Sequence, residues 1–338
     1  MNQPTGSNPA DPQPTSPLAS QIRNEDLIDR IKESADKLAQ DGATRGDLKI
    51  LSRTLRELRY AFKVFAPYRR HRKVTVFGSA RTPPEAPNYT CAVDFGRQMA
   101  DRGWLVVTGA ASGIMEAGHF GAGRDNSMGL NIMLPFEQEA NPVIAGDPKL
   151  VHMKYFFTRK LMFVKECDAV VCLPGGFGTL DEAMEVLTLL QTGKRDMVPV
   201  VLLETKGGSY WKTLDHFIRE ELLRGGMISP DDLSLYHLAD CVEDAANHVL
   251  QFFRVFHSMR YVKAQLVFRL YEPLTELRVK EVNQEFSDVL ASGDFEQTTM
   301  LPEEKDEPDL MDLPRLAFHF NRRSLGRLRQ LIDFINVQ

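Results

Sequence analysis

Between residues 73 and 262 short apolar runs alternate with helical patterns, and no other feature of the chain restricts its fold as much. KVTVFGSA precedes NYTCAVDFGRQMADRG, WLVVTGA precedes SGIMEAGHFGAG, and GLNIMLP leads through a long loop to YFFTRKLMFVKECD. AVVCLPGG then precedes TLDEAMEVLTLLQTG, VPVVLLE precedes SYWKTLDHFIREELLRGG, and a short LYHLA segment precedes CVEDAANHVLQFFRVFHSM. A strand that is apolar at every position has both faces covered, and parallel neighbours need a crossover, usually a helix. The order predicts an α/β, Rossmann-like domain: a doubly wound parallel sheet with helices on both faces. In such a sheet the ligand lies beyond the carboxyl ends of the strands.

The flanks read differently. Residues 1–20 are rich in Pro, Ser and Asn and bury too little to offset chain entropy, so a disordered tail is expected. Residues 21–72 are expected to form a helical extension. Its first helix stops at Gly42; its second starts at Thr44, with Asp47 in capping-box position, and ends at Pro67. Leu48, Leu51, Leu55, Leu58, Phe62 and Phe65 alternate steps of three and four, an apolar seam that suits either the main domain or a partner subunit. Residues 263–338 read as a small appended α+β module in β-α-β-α order, from AQLVFRL to SLGRLRQLIDFIN.

Composition excludes several classes. A formal net charge of −5 gives no pull toward nucleic acid or an anionic membrane. The acidic loop LPEEKDEPDLMD and the following Arg322, Arg323, Arg327 and Arg329 are read as solvated faces. No apolar run approaches membrane-spanning length, and the N-terminus lacks the basic start and apolar core of a secretory signal. Cys91, Cys167, Cys172 and Cys241 form no Cys-x-x-Cys pair and read as buried, reduced thiols, with no zinc site. A cytoplasmic protein is expected.

The chemistry concentrates in VVCLPGGFGTLDEAMEVL, residues 170–187. Pro174 ends the strand because it has no N–H to give a ladder. Gly175, Gly176 and Gly178 let the backbone turn sharply and a ligand come close. Thr179 then caps or opens a helix whose unpaired N–H groups and positive dipole end form an anion site. No Lys-Ser/Thr follows the glycines, and the spacing is not G-x-G-x-x-G, so neither a Walker A loop nor a dinucleotide site is indicated. Asp181 suits the helix dipole without further purpose. Glu182 differs, because a carboxylate beside a phosphate site can meet positive charge developing on a nearby sugar. Two further turns, Gly78-Ser79 and Thr108-Gly109-Ala110-Ala111-Ser112-Gly113, follow strands and point to a shared crevice, although each also serves as a tight turn. Arg159-Lys160 lies in an otherwise apolar helix. It reads as a snorkelling surface pair or as a guanidinium placed for a phosphate or carboxylate.

Pro174-Gly175-Gly176-Phe177-Gly178-Thr179-Leu180-Asp181-Glu182 resembles the P-G-G-x-G-T-x-x-E signature of the LOG ("Lonely Guy") family. Arg159-Lys160 sits where that family carries its Arg-Lys pair, and VVTGAASGIMEAG and GLNIMLPFEQEANP are similar to its longer bacterial members. The likeness covers about residues 73–250. It implies a phosphoribohydrolase that cuts the N-glycosidic bond of a nucleoside 5′-monophosphate, AMP or a cytokinin ribotide, to free base and ribose 5-phosphate. It further implies that Glu182 and Arg159 are the catalytic pair, that Gly175 to Thr179 hold the 5′-phosphate, and that Lys160 is a neighbouring contact. Ser79, Gly109 and Gly113 complete the expected substrate set. No metal or organic cofactor is expected, and the family's assemblies imply a homo-oligomer. Similar sequences have been described as lysine decarboxylases, but no pyridoxal-type site is visible. The turn TGAASG departs from the family's denser glycine run, so Ala110 and Ala111 are expected to narrow the ligand's approach. The rival to the hydrolase is a non-catalytic nucleotide- or molybdenum-cofactor-binding protein, which needs the cradle but not the carboxylate. In a third reading the flanks carry an interaction function over a vestigial core.

Overall fold

In the computed structural model, which describes residues 24–133, 139–304 and 307–337, seven strands form one parallel sheet. They are β1 (Lys73–Phe77), β2 (Leu105–Thr108), β3 (Ser127–Ile132), β4 (Leu150–Met153), β5 (Ala169–Cys172), β6 (Val200–Leu203) and β7 (His237–Ala239). The spatial order is β4-β3-β2-β1-β5-β6-β7. The chain winds outward from β1 to β4, returns to place β5 beside β1, and winds outward again. Thr75 opposes Val170 and Phe77 opposes Cys172 in the central pair. The winding direction reverses there, so the loops leaving β1 and β5 open a crevice at the carboxyl edge.

Alternate residues of each strand serve opposite faces. Val74, Val76, Ala169 and Val171 pack with Phe95, Met99, Ile114, Ala117 and Val249, from helices α3 (Pro87–Asp101), α4 (Ile114–Ala122) and α8 (Val242–Phe252). Phe77, Val170 and Cys172 pack with Met162, Phe163, Ala183, Val186 and Leu190, from α5 (Phe156–Glu166) and α6 (Phe177–Gln191). The doubly wound sheet expected from the sequence is present, with one strand more than expected. LVHM, inside the long loop, forms edge strand β4, too short and too polar at His152 to stand out.

A second sheet follows. Strands β8 (Phe256–Val262), β9 (Gln265–Leu270), β10 (Leu290–Thr298) and β11 (Arg315–Phe320) pair antiparallel in the order β10-β11-β9-β8. Helices α9 (Glu276–Glu285) and α10 (Leu325–Asn336) complete it, so the order is ββαββα and not β-α-β-α. FHSM, read as the end of a helix, belongs to β8, because α8 stops at Phe252. β10 escaped notice because Phe295 is its only buried residue and its register shifts twice. The expectation of solvated charges also needs correction. Glu304 is buried between Arg269 and Arg315, and Arg329 is buried against Asp333 and the Phe252 ring. Of the four cysteines Cys241 is exposed and the others are buried.

By Cα packing the chain divides into residues 1–56 and 57–338. The first unit holds α1 (Glu25–Leu38) and the start of α2 (Arg45–Phe65). Thr44 and Asp47 exchange hydrogen bonds as a capping box. Leu27, Ile28, Ile31, Leu48, Leu51 and Leu55 stay exposed. The expected disordered tail, residues 1–20, lies outside the described residues. No described helix is long and apolar enough to cross a membrane.

Candidate active site

The cleft forms where β1 and β5 end side by side. Ser79 N–H donates to the Pro174 carbonyl at 3.2 Å, which ties the two exit loops together. Ser79 carbonyl accepts from Ile114 N–H at 3.0 Å, which fixes the start of α4 behind it. Gly113 makes this approach possible: its φ is +66°, and an added Cβ would lie 2.3 Å from the Ser79 oxygen. The space is about 800 Å³ and is lined by Phe77 to Arg81, Met115, Phe156, Arg159 and Gly175 to Glu182.

The glycine turn has two kinds of glycine. Gly175 is hemmed in, with room for no methyl between Thr179 Oγ1 and Ser79 N, and its carbonyl accepts from the Tyr210 hydroxyl at 2.6 Å. Gly176 and Gly178 face open space, with nothing within 4 Å of an added Cβ. Gly176 is the N-cap of α6 and no side chain caps it, so the helix starts at Phe177, two residues before Thr179. Thr179 is instead a buried first-turn residue. The first amides of a helix have no intrahelical acceptor, and although Thr179 N–H here donates to the Gly176 carbonyl at 3.1 Å, the Phe177 and Gly178 amides border an open cleft, a setting made for an anionic group.

Helix α5 places the cations. Its amino end is held by Glu57 of α2, whose carboxylate accepts from Lys154 N–H and the Thr158 hydroxyl, both at 2.9 Å. Met162 and Phe163 anchor the apolar side, and consecutive residues then diverge by about 100° around the axis. Arg159 enters the cleft, its guanidinium 5.2 Å from the Phe163 ring centroid. Its Nε has no hydrogen-bond partner among the described residues. Burial lowers its pKa from the ordinary arginine value, with Glu182 acting in the opposite sense. Lys160 turns toward α6, where it bonds Glu185 and lies 3.0 Å from Asp181 and 3.7 Å from Glu182.

Glu182 is only 7% exposed. Burial raises its pKa above the usual carboxylate value, while Lys160 and then Arg159 draw it down. A buried carboxylate and a half-buried guanidinium thus line one cleft together with a helix amino end. Such a set can hold a phosphate and act on a bond close to it.

Seven of the expected site residues line the cleft: Ser79, Arg159, Gly175, Gly176, Gly178, Thr179 and Glu182. Gly109, Gly113 and Lys160 do not. Gly109 lies behind Arg159, where a Cβ would sit 2.6 Å from Nη2. Ala110 and Ala111 do not line the cleft either, so the expected narrowing is absent. Ala110 takes a φ of +59° and buries its methyl with Ile144 and Leu150. Arg81, Met115, Phe156 and Phe177 also line the cleft and were not expected there. Exposed aromatics at two helix starts are the signal that was there to use, with Phe177 93% exposed. Among the described residues no group of three or more His, Cys, Asp or Glu could hold a metal ion.

Comparison with known proteins adds the following. The family model described as "Possible lysine decarboxylase" matches residues 108–249. "Probable cytokinin riboside 5′-monophosphate phosphoribohydrolase LOGL5" of Oryza sativa subsp. japonica is 34% identical over 166 residues, 48% of this chain and 64% of that protein. Cytokinin riboside 5′-monophosphate phosphoribohydrolase LOG3 of Arabidopsis thaliana is 32% identical over 164 residues, 47% of this chain and 73% of that protein. Among solved structures, the molybdenum cofactor carrier protein of Chlamydomonas reinhardtii is 22% identical, covering 54% of this chain and 97% of its own, with a TM-score of 0.38.

Proposed function

The chain belongs to the LOG family, and from that premise we propose that it hydrolyses the N-glycosidic bond of a nucleoside 5′-monophosphate, AMP or a cytokinin ribotide. The observation that carries this reading is the presence of Glu182 and Arg159 in the cleft that the amino end of α6 also lines.

In this reading the 5′-phosphate rests on the first turn of α6, against Gly176, Gly178 and Thr179. The helix end contributes about half a positive charge. Arg81, which has no side-chain partner among the described residues, faces the same space and supplements that charge. The phosphate takes no part in bond breaking, and its binding energy serves to position the sugar. The C1′–N bond breaks with its electron pair passing to the base nitrogen, and positive charge builds on the ribose ring. Glu182 faces that charge as a carboxylate and orients the attacking water, while Arg159 fixes the nucleotide. The water oxygen bonds to C1′, one water proton leaves it, and the departing base gains one, giving free base and ribose 5-phosphate. A second copy of the chain is the partner we assign to the apolar residues left exposed on α1 and α2.

The test is to incubate the purified protein with AMP and with isopentenyl-AMP and to follow base and ribose phosphate by chromatography. Wild type should release base, and Glu182→Gln and Arg159→Ala should each lose roughly 10²-fold or more of that rate. Absence of release, together with thermal stabilisation by nucleotide that persists in Glu182→Gln, would show a binding protein instead.

A further inference from the structure

Arg159 and Lys160 are adjacent in sequence and were both expected at the substrate, yet only Arg159 lines the cleft. The Lys160 side chain is 16% exposed and lies among three carboxylates of α6. It bonds Glu185, sits 3.0 Å from Asp181 Oδ2, and sits 3.7 Å from Glu182 Oε2. Asp181 and Glu185 are far more exposed than Glu182, with side chains 62% and 36% exposed against 10%. They act as outer arms that hold the ammonium in place. Asp181 and Glu182 both line the cleft, and Glu182 is the buried one of the two.

We propose that Lys160 is a positioning residue and not a substrate contact: bridged to Asp181 and Glu185, its ammonium holds Glu182 in place as a carboxylate at the cleft wall. Four charged groups bear on Glu182: Lys160 and Arg159 from α5, and Asp181 and Glu185 from its own helix. Cys172, at the end of β5, faces it as a buried neutral thiol. Burial and the two neighbouring carboxylates favour the protonated acid, and the two cations oppose them. Lys160 is itself held charged, because its bonds to Glu185 and Asp181 outweigh the effect of burial. Arg159 lines the cleft and Lys160 does not, so Lys160 is the cation that bears on Glu182 from outside the substrate space.

The consequence for pH follows from the signs. Glu182 acts as the carboxylate, so kcat/KM falls as pH drops through its pKa. Removing a cation makes ionisation harder and moves that acid limb to higher pH, by roughly one unit or more for an opposite charge so close. Lys160→Met should show this shift with KM changed less than about twofold, and Lys160→Arg should restore the limb. Lys160→Gln is the second neutral variant should the methionine fail to fold.

The kinetic arm rests on the hydrolase reading, so a second arm does not. The Glu182 side-chain carboxyl is titrated by ¹³C NMR in the full-length wild type and in each variant, its signal assigned by its loss in Glu182→Gln. An upward move of that titration in Lys160→Met, reversed in Lys160→Arg, supports the proposal even if wild type releases no base. In that event the hydrolase reading alone falls. A KM raised tenfold with an unmoved acid limb makes Lys160 a substrate contact and overturns the proposal. Loss of activity with both limb and titration unmoved makes it merely structural and overturns it equally.

Discussion

At Gly178 an added methyl meets no atom within 4 Å, whereas at Gly175 it would lie 2.2 Å from Thr179 Oγ1 and 2.9 Å from Ser79 N. The two glycines of one turn therefore answer to different demands. Gly178 lies in the first turn of α6, where alanine is the better helix former by about 0.5–1 kcal/mol. Gly178→Ala should keep or raise the melting temperature while raising KM for the nucleotide, because the new methyl enters the open space to which we assign the phosphate. Gly175→Ala should lower the melting temperature as well as activity, since its clash exists without ligand. Equal losses of stability in both variants would refute the distinction. The glycine string itself was legible, because only an unusual backbone demand places three glycines in four positions after a buried strand. Which glycine serves the fold and which the ligand was not legible, since that depends on Ser79 arriving from β1. Arg81 went unread for the same reason: an exposed arginine in a loop gains meaning only from the wall it faces.

Helix α5 carries both cations, yet the group that secures its amino end comes from α2. Glu57 is 5% exposed and accepts from Lys154 N–H and the Thr158 hydroxyl. Hydrogen bonds to a charged group contribute about 1.5–3 kcal/mol each, and a donor left unpaired by truncation costs a comparable amount. Glu57→Ala should therefore lower thermal stability measurably and, by freeing the first turn of α5, reduce kcat/KM through Arg159. Glu57→Gln keeps an acceptor and should recover most of both. A Glu57→Ala enzyme of unchanged activity would show that α5 needs no such anchor. Periodicity revealed α5, with its run of Phe, Met and Leu, and also the seam on α2. It could not join them, because the bonds span 97 and 101 positions. The missed strands share that limit. β4 and β10 owe their existence to a neighbour's ladder more than to their own pattern, which is polar at His152 and along most of Leu290–Thr298.

For the whole molecule, the division of function between a catalytic core and its flanks is a question about one apolar interior. The cluster under the α5–α6 face contains Ala61 and Phe65 of α2, and it continues through Leu190 and Phe252 to Phe268, Phe318, Leu328 and Ile332 of the second sheet and its helix. Helix α10 packs on α6, on α8 and on the 3₁₀ turn Pro230–Leu235. The helix to whose amino end we assign the phosphate is thus packed against the last helix described. Strand β8, inside the boundary at 262, pairs with β9, which lies outside it. A fragment of residues 73–262 would uncover several large side chains at roughly 1.5–3 kcal/mol each, against a total stability of only about 5–15 kcal/mol. It should be insoluble or melt without a cooperative transition, whereas residues 57–338 should melt cooperatively. If residues 73–262 fold and release base at the full rate, the second sheet is an accessory and the shared interior does not govern stability. If they fail while residues 57–338 succeed, residues 57–72 and 263–338 together complete the domain, because Ala61 and Phe65 of α2 and the helix α10 packed on α6 share its apolar interior.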